Sequence, residues 1–317
     1  MPQPSLDPLV PPRHWSEGWW ALLFLAGLPW LMYGWSISAP FFFLDDRALF
    51  WMRNPLVDNG DLSGAWHVWW GRHQGYTPLT HFTVWVDHAF DFHRNPWVVR
   101  AQSLLWASFL ALGLRSFLSA WLGRPLTAFW LTILFIAHPL CASLMLWPAM
   151  RRKTLFLAWS CWSLAWFLRA WSASNPGQAW RWTIAGLLAA ALALAGNFHA
   201  VILAPLTLML GLGAWAGRPR QVAVAVMGVG MLTLAFVVFE ALHVSGAPVD
   251  GTRLGGSLLG TLLADGPIFR DYLVRMVWPW HLTYYYSVRE SGAPDVVNLV
   301  SWAVVAIVVA VTIRLHP

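Results

Sequence analysis

"WWALLFLAGLPWLMYGWSISAPFFFLDDR", residues 19–47, decides how the rest of the chain is read. A helix crossing a bilayer needs roughly 20 mostly apolar residues, with every backbone group satisfied internally. The run from Trp19 to Ile37, extendable to Phe43, meets that need. It then ends abruptly in two adjacent carboxylates, Asp45 and Asp46. The stretch therefore poses two questions: how many such runs the chain holds, and what an acid pair does at the end of one.

Composition answers the first in outline. The chain has 317 residues, 58% apolar and only 11% charged, far from the mix of a soluble domain. Seven further spans follow, at Trp97–Trp121, Leu126–Met145, Thr154–Trp171, Trp182–Gly196, Ala200–Trp215, Val222–His243 and Val296–Ile313. The expected fold is thus an all-α integral membrane protein with about eight transmembrane helices in one domain over residues 19–317. Tryptophans flank many of the runs, as at Trp19/Trp20, Trp97, Trp121, Trp147, Trp180/Trp182 and Trp278/Trp280. Amphipathic rings settle at headgroup depth, so these read as interfacial anchors.

Charge placement predicts orientation. The short connections holding Arg124, Arg169 with Arg181, and Arg218 with Arg220 contain no acid, which puts them in the cytoplasm by the positive-inside bias. Residues 1–18, Pro-rich and without an Ala-x-Ala-like cleavage site, read as a cytoplasmic tail before a retained helix. The two long polar segments, 44–96 and 244–295, then face the other side as periplasmic loops of a multi-pass protein in a bacterial inner membrane. The net charge of +6 comes from scattered arginines and forms no basic stripe, so no nucleic-acid partner is expected. Cys141 and Cys161 have no metal-ligand spacing and read as packing residues. There is no internal repeat of 20–50 residues and no symmetry of two halves, which argues against a transporter.

Chemistry concentrates on the periplasmic side. "WPAMRRKTLF", residues 147–156, sets Arg151, Arg152 and the chain's single lysine, Lys153, on the face of Asp45 and Asp46. Cations there run against the insertion bias, and lipid phosphate is the natural attractor. Either acid can act as a general base on an incoming hydroxyl or be an ordinary solvated helix end. "YTPLTHFTVWVDHAF", residues 76–90, predicts an amphipathic helix on the membrane, with Leu79, Phe82, Val86 and Phe90 at helical spacing. Asp87 and Asp91, four apart, could offer two carboxylates to a divalent metal, although the neighbouring histidines lack catalytic zinc spacing; no cofactor is expected. Glu240, deep in an apolar run, must face a partner, a cavity or the headgroup layer. "FRDYLVRMVWPWHLTYYYS", residues 269–287, is too charged to span freely and predicts an interfacial helix whose arginines could hold phosphate.

The ordered set of segments resembles the membrane glycosyltransferases of the GT-C fold, specifically relatives of the tetratricopeptide-repeat protein O-mannosyltransferases. The resemblance rests on the acid pair, "NPLV" at 54–57, "YTPLT" at 76–80 and "NPW" at 95–97. It continues through "HPL" at 138–140 followed after ten residues by Arg151, Pro205-Leu206, and "YLVRMVWPWHLTYYYS" at 272–287. The resemblance implies sugar transfer with inversion from a polyprenyl-phosphate carrier to a hydroxyl on a protein or glycan acceptor. In that picture Asp45 or Asp46 is the base, the phosphate leaves against Arg151, Arg152 and Lys153, and Tyr76, His138 and Arg275 bind substrate. The chain departs from the family pattern at Thr77, Arg100, Cys141, Ser143 and Lys153, where the last reverses an expected acid. These departures keep a second expectation open, a catalytically degenerate relative acting as a structural or assembly subunit beside other membrane subunits.

Overall fold

A computed structural model describes residues 15–41, 64, 66, 69, 76–214, 217, 219–244, 257–279 and 295–315. All regular structure among them is helical. The chain divides into two units, 1–244 and 245–317. The first contains α1 (Trp15–Tyr33), α2 (Pro78–Ala89), α3 (Pro96–Leu122), α4 (Pro125–Ala137), α5 (Ala142–Leu146) and α6 (Arg151–Ser172). It continues with α7 (Pro176–Gly196), α8 (Leu203–Ala214) and α9 (Pro219–Val244). The second contains α10 (Leu258–Val277) and α11 (Val296–Leu315).

Four segments, Gly18–Ser38, Pro96–Leu122, Pro176–Gly196 and Pro219–Leu242, are long and apolar enough to cross a membrane. Residues 125–146 add a fifth if a helix pair bent by 63° counts as one. Of the other expected spans, Phe198–Ala214 and Val296–Val308 are shorter apolar helices. α6 is 22 residues long, and Arg151, Arg152, Lys153 and Arg169 lower its hydropathy. Large apolar side chains remain exposed along these helices, among them Leu31, Leu134, Leu188, Met209 and Met231. The protein is therefore a helical chain with several segments built for an apolar solvent.

Proline and glycine set the boundaries. Pro78, Pro96, Pro125 and Pro176 each occupy a helix first turn, where the missing N–H costs nothing. α3 stops at Gly123, whose φ of +64° is the left-handed conformation a residue without Cβ adopts freely. The span expected as Leu126–Met145 is broken because Pro139 cannot donate and forces His138 into extended backbone. α2 forms where expected. Its buried face, however, is Leu79, Thr80, His81, Thr83, Val84 and Asp87, whereas Phe82 and Val86 are half-buried and Phe90 is exposed.

α6 is the central strut, packed between α3 and α7. One core joins α1, α3 and α4 through Leu25, Leu28, Leu104, Leu110 and Ile136. Another joins α6 to α7, α8 and α9 through Leu164, Phe167, Leu194, Leu203 and Phe236. Small residues allow the close approach, as expected where lipid removes the hydrophobic drive and packing must supply association. A Cβ on Gly186 would lie 2.5 Å from the Phe167 ring, and Ser163 Oγ donates to the Gly186 carbonyl at 2.8 Å. Other buried hydroxyls return to their own helix, as Thr132 to Ala128 and Thr183 to Ala179, or cross to another, as Ser108 to the Ala26 carbonyl of α1. Most flanking tryptophans are exposed, including Trp19, Trp20, Trp97, Trp121, Trp180 and Trp278. Trp147 is instead buried and packs with Val84, Val99 and Ala149.

In the second unit α10 and α11 pair side by side. Trp302 Nε1 donates to the Leu262 carbonyl at 2.8 Å, and its ring fills the space over Gly266. Ser257 caps α10 by accepting from Gly260 N, and Asp295 Oδ1 accepts from Asn298 N.

Candidate functional site

Chain direction gathers one set of ends. α1, α4, α7 and α9 finish, and α3, α6 and α8 start, at the same end of the first unit, here the Arg151 end. Long-range hydrogen bonds hold the pieces. Arg100, 2% exposed, donates to Ala39 O at 2.9 Å through Nε, Leu146 O at 2.5 Å through Nη1 and Pro40 O at 2.5 Å through Nη2. Arg151, 1% exposed, donates through Nη1 to Asp87 Oδ2 at 2.6 Å and through Nη2 to Val99 O at 3.1 Å. Neighbouring residues of α3, Val99 and Arg100, thus receive both α6 and the exit from α1.

α2 closes this end. Thr80 donates to the last carbonyl of α7, at Gly196, at 2.8 Å. The Tyr76 backbone N–H donates to Glu240 Oε2 at 2.7 Å, while the Tyr76 ring packs on Phe236 and Phe239. Glu240 therefore has a partner within the protein. Burial, with Glu240 adding to it, pushes the Tyr76 hydroxyl above its ordinary pKa.

The first turn of α6 holds Arg151, Arg152 and Lys153 together. A helix N-terminus already carries partial positive charge, so three cations there are unfavourable by themselves. Asp87 answers the first. Arg152 and Lys153 are only half-buried. His199, exposed in the 3-10 turn Phe198–Ile202, faces them: burial foremost, then Lys153 and Arg152, hold its pKa below the usual histidine value. Asn197 orients it, with Oδ1 accepting from His199 N at 3.0 Å and contacting Nδ1. Nδ1 is thereby the protonated nitrogen of the neutral ring, and the ring stacks on Phe156 of α6. Two half-exposed cations and a histidine gathered at one helix start are suited to an anion.

The remaining expected site residues divide. His138 lies at the break between α4 and α5, and its Nδ1 accepts from Leu140 N at 3.2 Å, capping the turn that bends the chain. Arg275 is in the last turn of α10, in the second unit. Asp45 and Asp46 lie outside the described residues. The carboxylate pair considered for a metal does not form. α2 ends at Ala89, Asp91 turns into left-handed backbone with φ 55°, and it pairs at 3.3 Å with Arg94 while Asp87 is buried on Arg151. No group of three metal-binding side chains occurs among the described residues.

Sequence reasoning missed His199 and Asn197. The signal was available in "GNFHA", residues 196–200, a polar interruption between two apolar runs. It also treated Arg100 only as a departure from a motif. Compared with protein-family models, with curated proteins and with solved structures, the chain matches none.

Proposed function

We propose that the protein is a membrane glycosyltransferase that moves a sugar from a polyprenyl-phosphate donor to a hydroxyl acceptor at the Arg151 end. The reading takes the GT-C layout, with eight spans and the long segments 44–96 and 244–295 on the periplasmic face of a bacterial inner membrane. One observation carries it. Pro40, whose carbonyl Arg100 grips, is five residues before Asp45, a reach of at most about 18 Å. Val99, next to Arg100, accepts from Arg151. An acid pair that begins from that post can meet the cations of α6.

The chemistry then balances without a metal. Asp45 or Asp46 takes the acceptor hydroxyl proton, and the freed oxygen attacks the anomeric carbon from the face opposite the phosphate. The bond from that carbon to the phosphate oxygen breaks, and its electrons leave with the carrier phosphate. Arg152 and Lys153 neutralise that charge, usually the largest catalytic contribution available to such a site. Arg151, shielded behind Asp87, positions the turn.

Replacing Asp45 and Asp46 together with Asn tests the reading in proteoliposomes supplied with polyprenyl-phosphate sugars. Transfer should vanish while the protein still inserts. Undiminished transfer removes the role assigned to the acids. A second reading, a structural subunit of a membrane complex, is favoured by the burial of the Arg151 guanidinium on Asp87. Purification in mild detergent with a stoichiometric set of membrane partners, and no transfer, supports that one.

A further inference from the structure

At the opposite end of the first unit, α6 finishes and α7 begins around a cavity of about 280 Å³. It is lined by Arg169, Ser172, Ala173, Gln178 and Trp182. Arg169 is fixed there from two sides. Its Nη2 donates to Ser116 Oγ on α3 at 2.7 Å, and its guanidinium carbon lies 5.5 Å from the centre of the Trp182 ring. Both partners are neutral, so the charge is held in place without being cancelled.

The surroundings sharpen this. From Asp91 to Glu240 the chain has eleven Lys or Arg and no acid between them. α3, α6, α7 and α9 therefore bring only cations to this end, α4 and α8 carry no charged residue, and α1 adds Glu17 near its start. Among the described residues Arg169 has no carboxylate partner, and the nearby Arg115 has a buried Nε without a hydrogen bond. An unneutralised guanidinium at the wall of a cavity is an incomplete arrangement that an anion completes.

We infer that this cavity binds a phosphate group. Arg169 can fork two N–H groups onto two oxygens, because only Nη2 is engaged and the plane is already held by Trp182. Gln178, which also lines the cavity, has a neutral amide donor to add. Pockets for whole drug-sized ligands run from roughly 300 to 1,000 Å³, so a cavity this small suits a headgroup or a free phosphate and not a nucleotide. Basic pockets between membrane helices on the cytoplasmic side hold anionic headgroups in this way, and the positive-inside bias puts this end there. The site shares no residue with the proposed transferase site, so the two stand or fall separately.

The test uses the full chain in detergent, with native mass spectrometry to count bound phosphatidylglycerol against diacylglycerol, which lacks the phosphate. Inorganic phosphate is titrated in parallel against unfolding temperature. One phosphatidylglycerol should remain bound, with affinity about tenfold weaker in Arg169→Gln, as expected for the loss of a charge-assisted hydrogen bond. Gln178→Glu, an exposed change that folding tolerates, should weaken it similarly through like-charge repulsion. Arg181→Gln, exposed and outside the cavity, should leave it unchanged. Stabilisation by inorganic phosphate that disappears in Arg169→Gln and Gln178→Glu supports the site with free phosphate as its source. Equal losses in Arg181→Gln and Arg169→Gln, or no difference between wild type and both cavity variants with either probe, overturn the proposal.

Discussion

Arg151 Nη1 lies 2.6 Å from Asp87 Oδ2, and the two side chains expose 1% and 0% of their surface. Their bond ties α2 to the start of α6. The second carboxylate oxygen, Oδ1, has no hydrogen-bond partner among the described residues. Pairing alone is a weak source of stability once desolvation is counted, but removing one partner strands a buried charge. Asp87→Ala should destabilise the protein by about 3–5 kcal/mol. The double replacement Asp87→Leu with Arg151→Met should recover most of that loss. Unfolding by SDS titration in mixed micelles measures both, and equal stability of Asp87→Ala and wild type would contradict the buried pair.

Arg100 makes a different prediction, because among the described residues it donates to three neutral carbonyls. Arg100→Met leaves Ala39, Pro40 and Leu146 without that donor, at a cost of about 2–4 kcal/mol in the same titration. Arg100→Lys, which cannot reach three diverging oxygens, should fall between. If lysine restored full stability, charge and not the planar fork would be what this position requires.

Gly186 permits the α6–α7 approach. A Cβ there would meet the fully buried Phe167 ring at 2.5 Å, and Phe167 has no solvent-side space to enter. Gly186→Ala should cost about 1–3 kcal/mol through overpacking. Combining it with Phe167→Leu should restore part of the loss, which thermal unfolding in detergent would show. Independent, additive losses in the double variant would place the strain elsewhere.

His199 predicts a pH dependence. Its folded pKa is depressed by burial and by Lys153 and Arg152, so the neutral ring is favoured in the folded state. Its contribution is fully present above the unfolded histidine value, about 6.5, and is lost as pH falls from there through the lowered folded pKa. His199→Gln should flatten that part of the stability profile. Bound inorganic phosphate should oppose the depression, raising the histidine pKa; NMR titration of the ring, with and without phosphate, reads both. A pKa indifferent to phosphate would separate His199 from the anion site.

Much of the helical layout was legible because apolar length and proline position are local properties. Trp97–Trp121 and Trp182–Gly196 lie within α3 and α7, and Arg218 and Arg220 flank a real helix start. The break at His138–Pro139 was equally local, since Pro139 stands in the quoted motif, but hydropathy averages across it. The face of α2 was not legible. Helical spacing favoured Phe82, Val86 and Phe90, yet Asp87 turns inward because Arg151, 64 residues away, is waiting for it. Tertiary pairing of charges leaves no periodic trace. The cations of α6 were visible as a run; that the first is shielded while the next two are half-exposed depends on α2 and α3 together.

The Phe167–Gly186 contact has a mechanical consequence. A ring seated over a residue with no side chain resists sliding as well as rotation, so α6 behaves as a stiff rod in a keyed slot. Arg151 and Arg169 are 18 residues apart on that rod, about 27 Å. The lock therefore fixes the register of α6 against α7, and with it the places at which Arg151 and Arg169 are held.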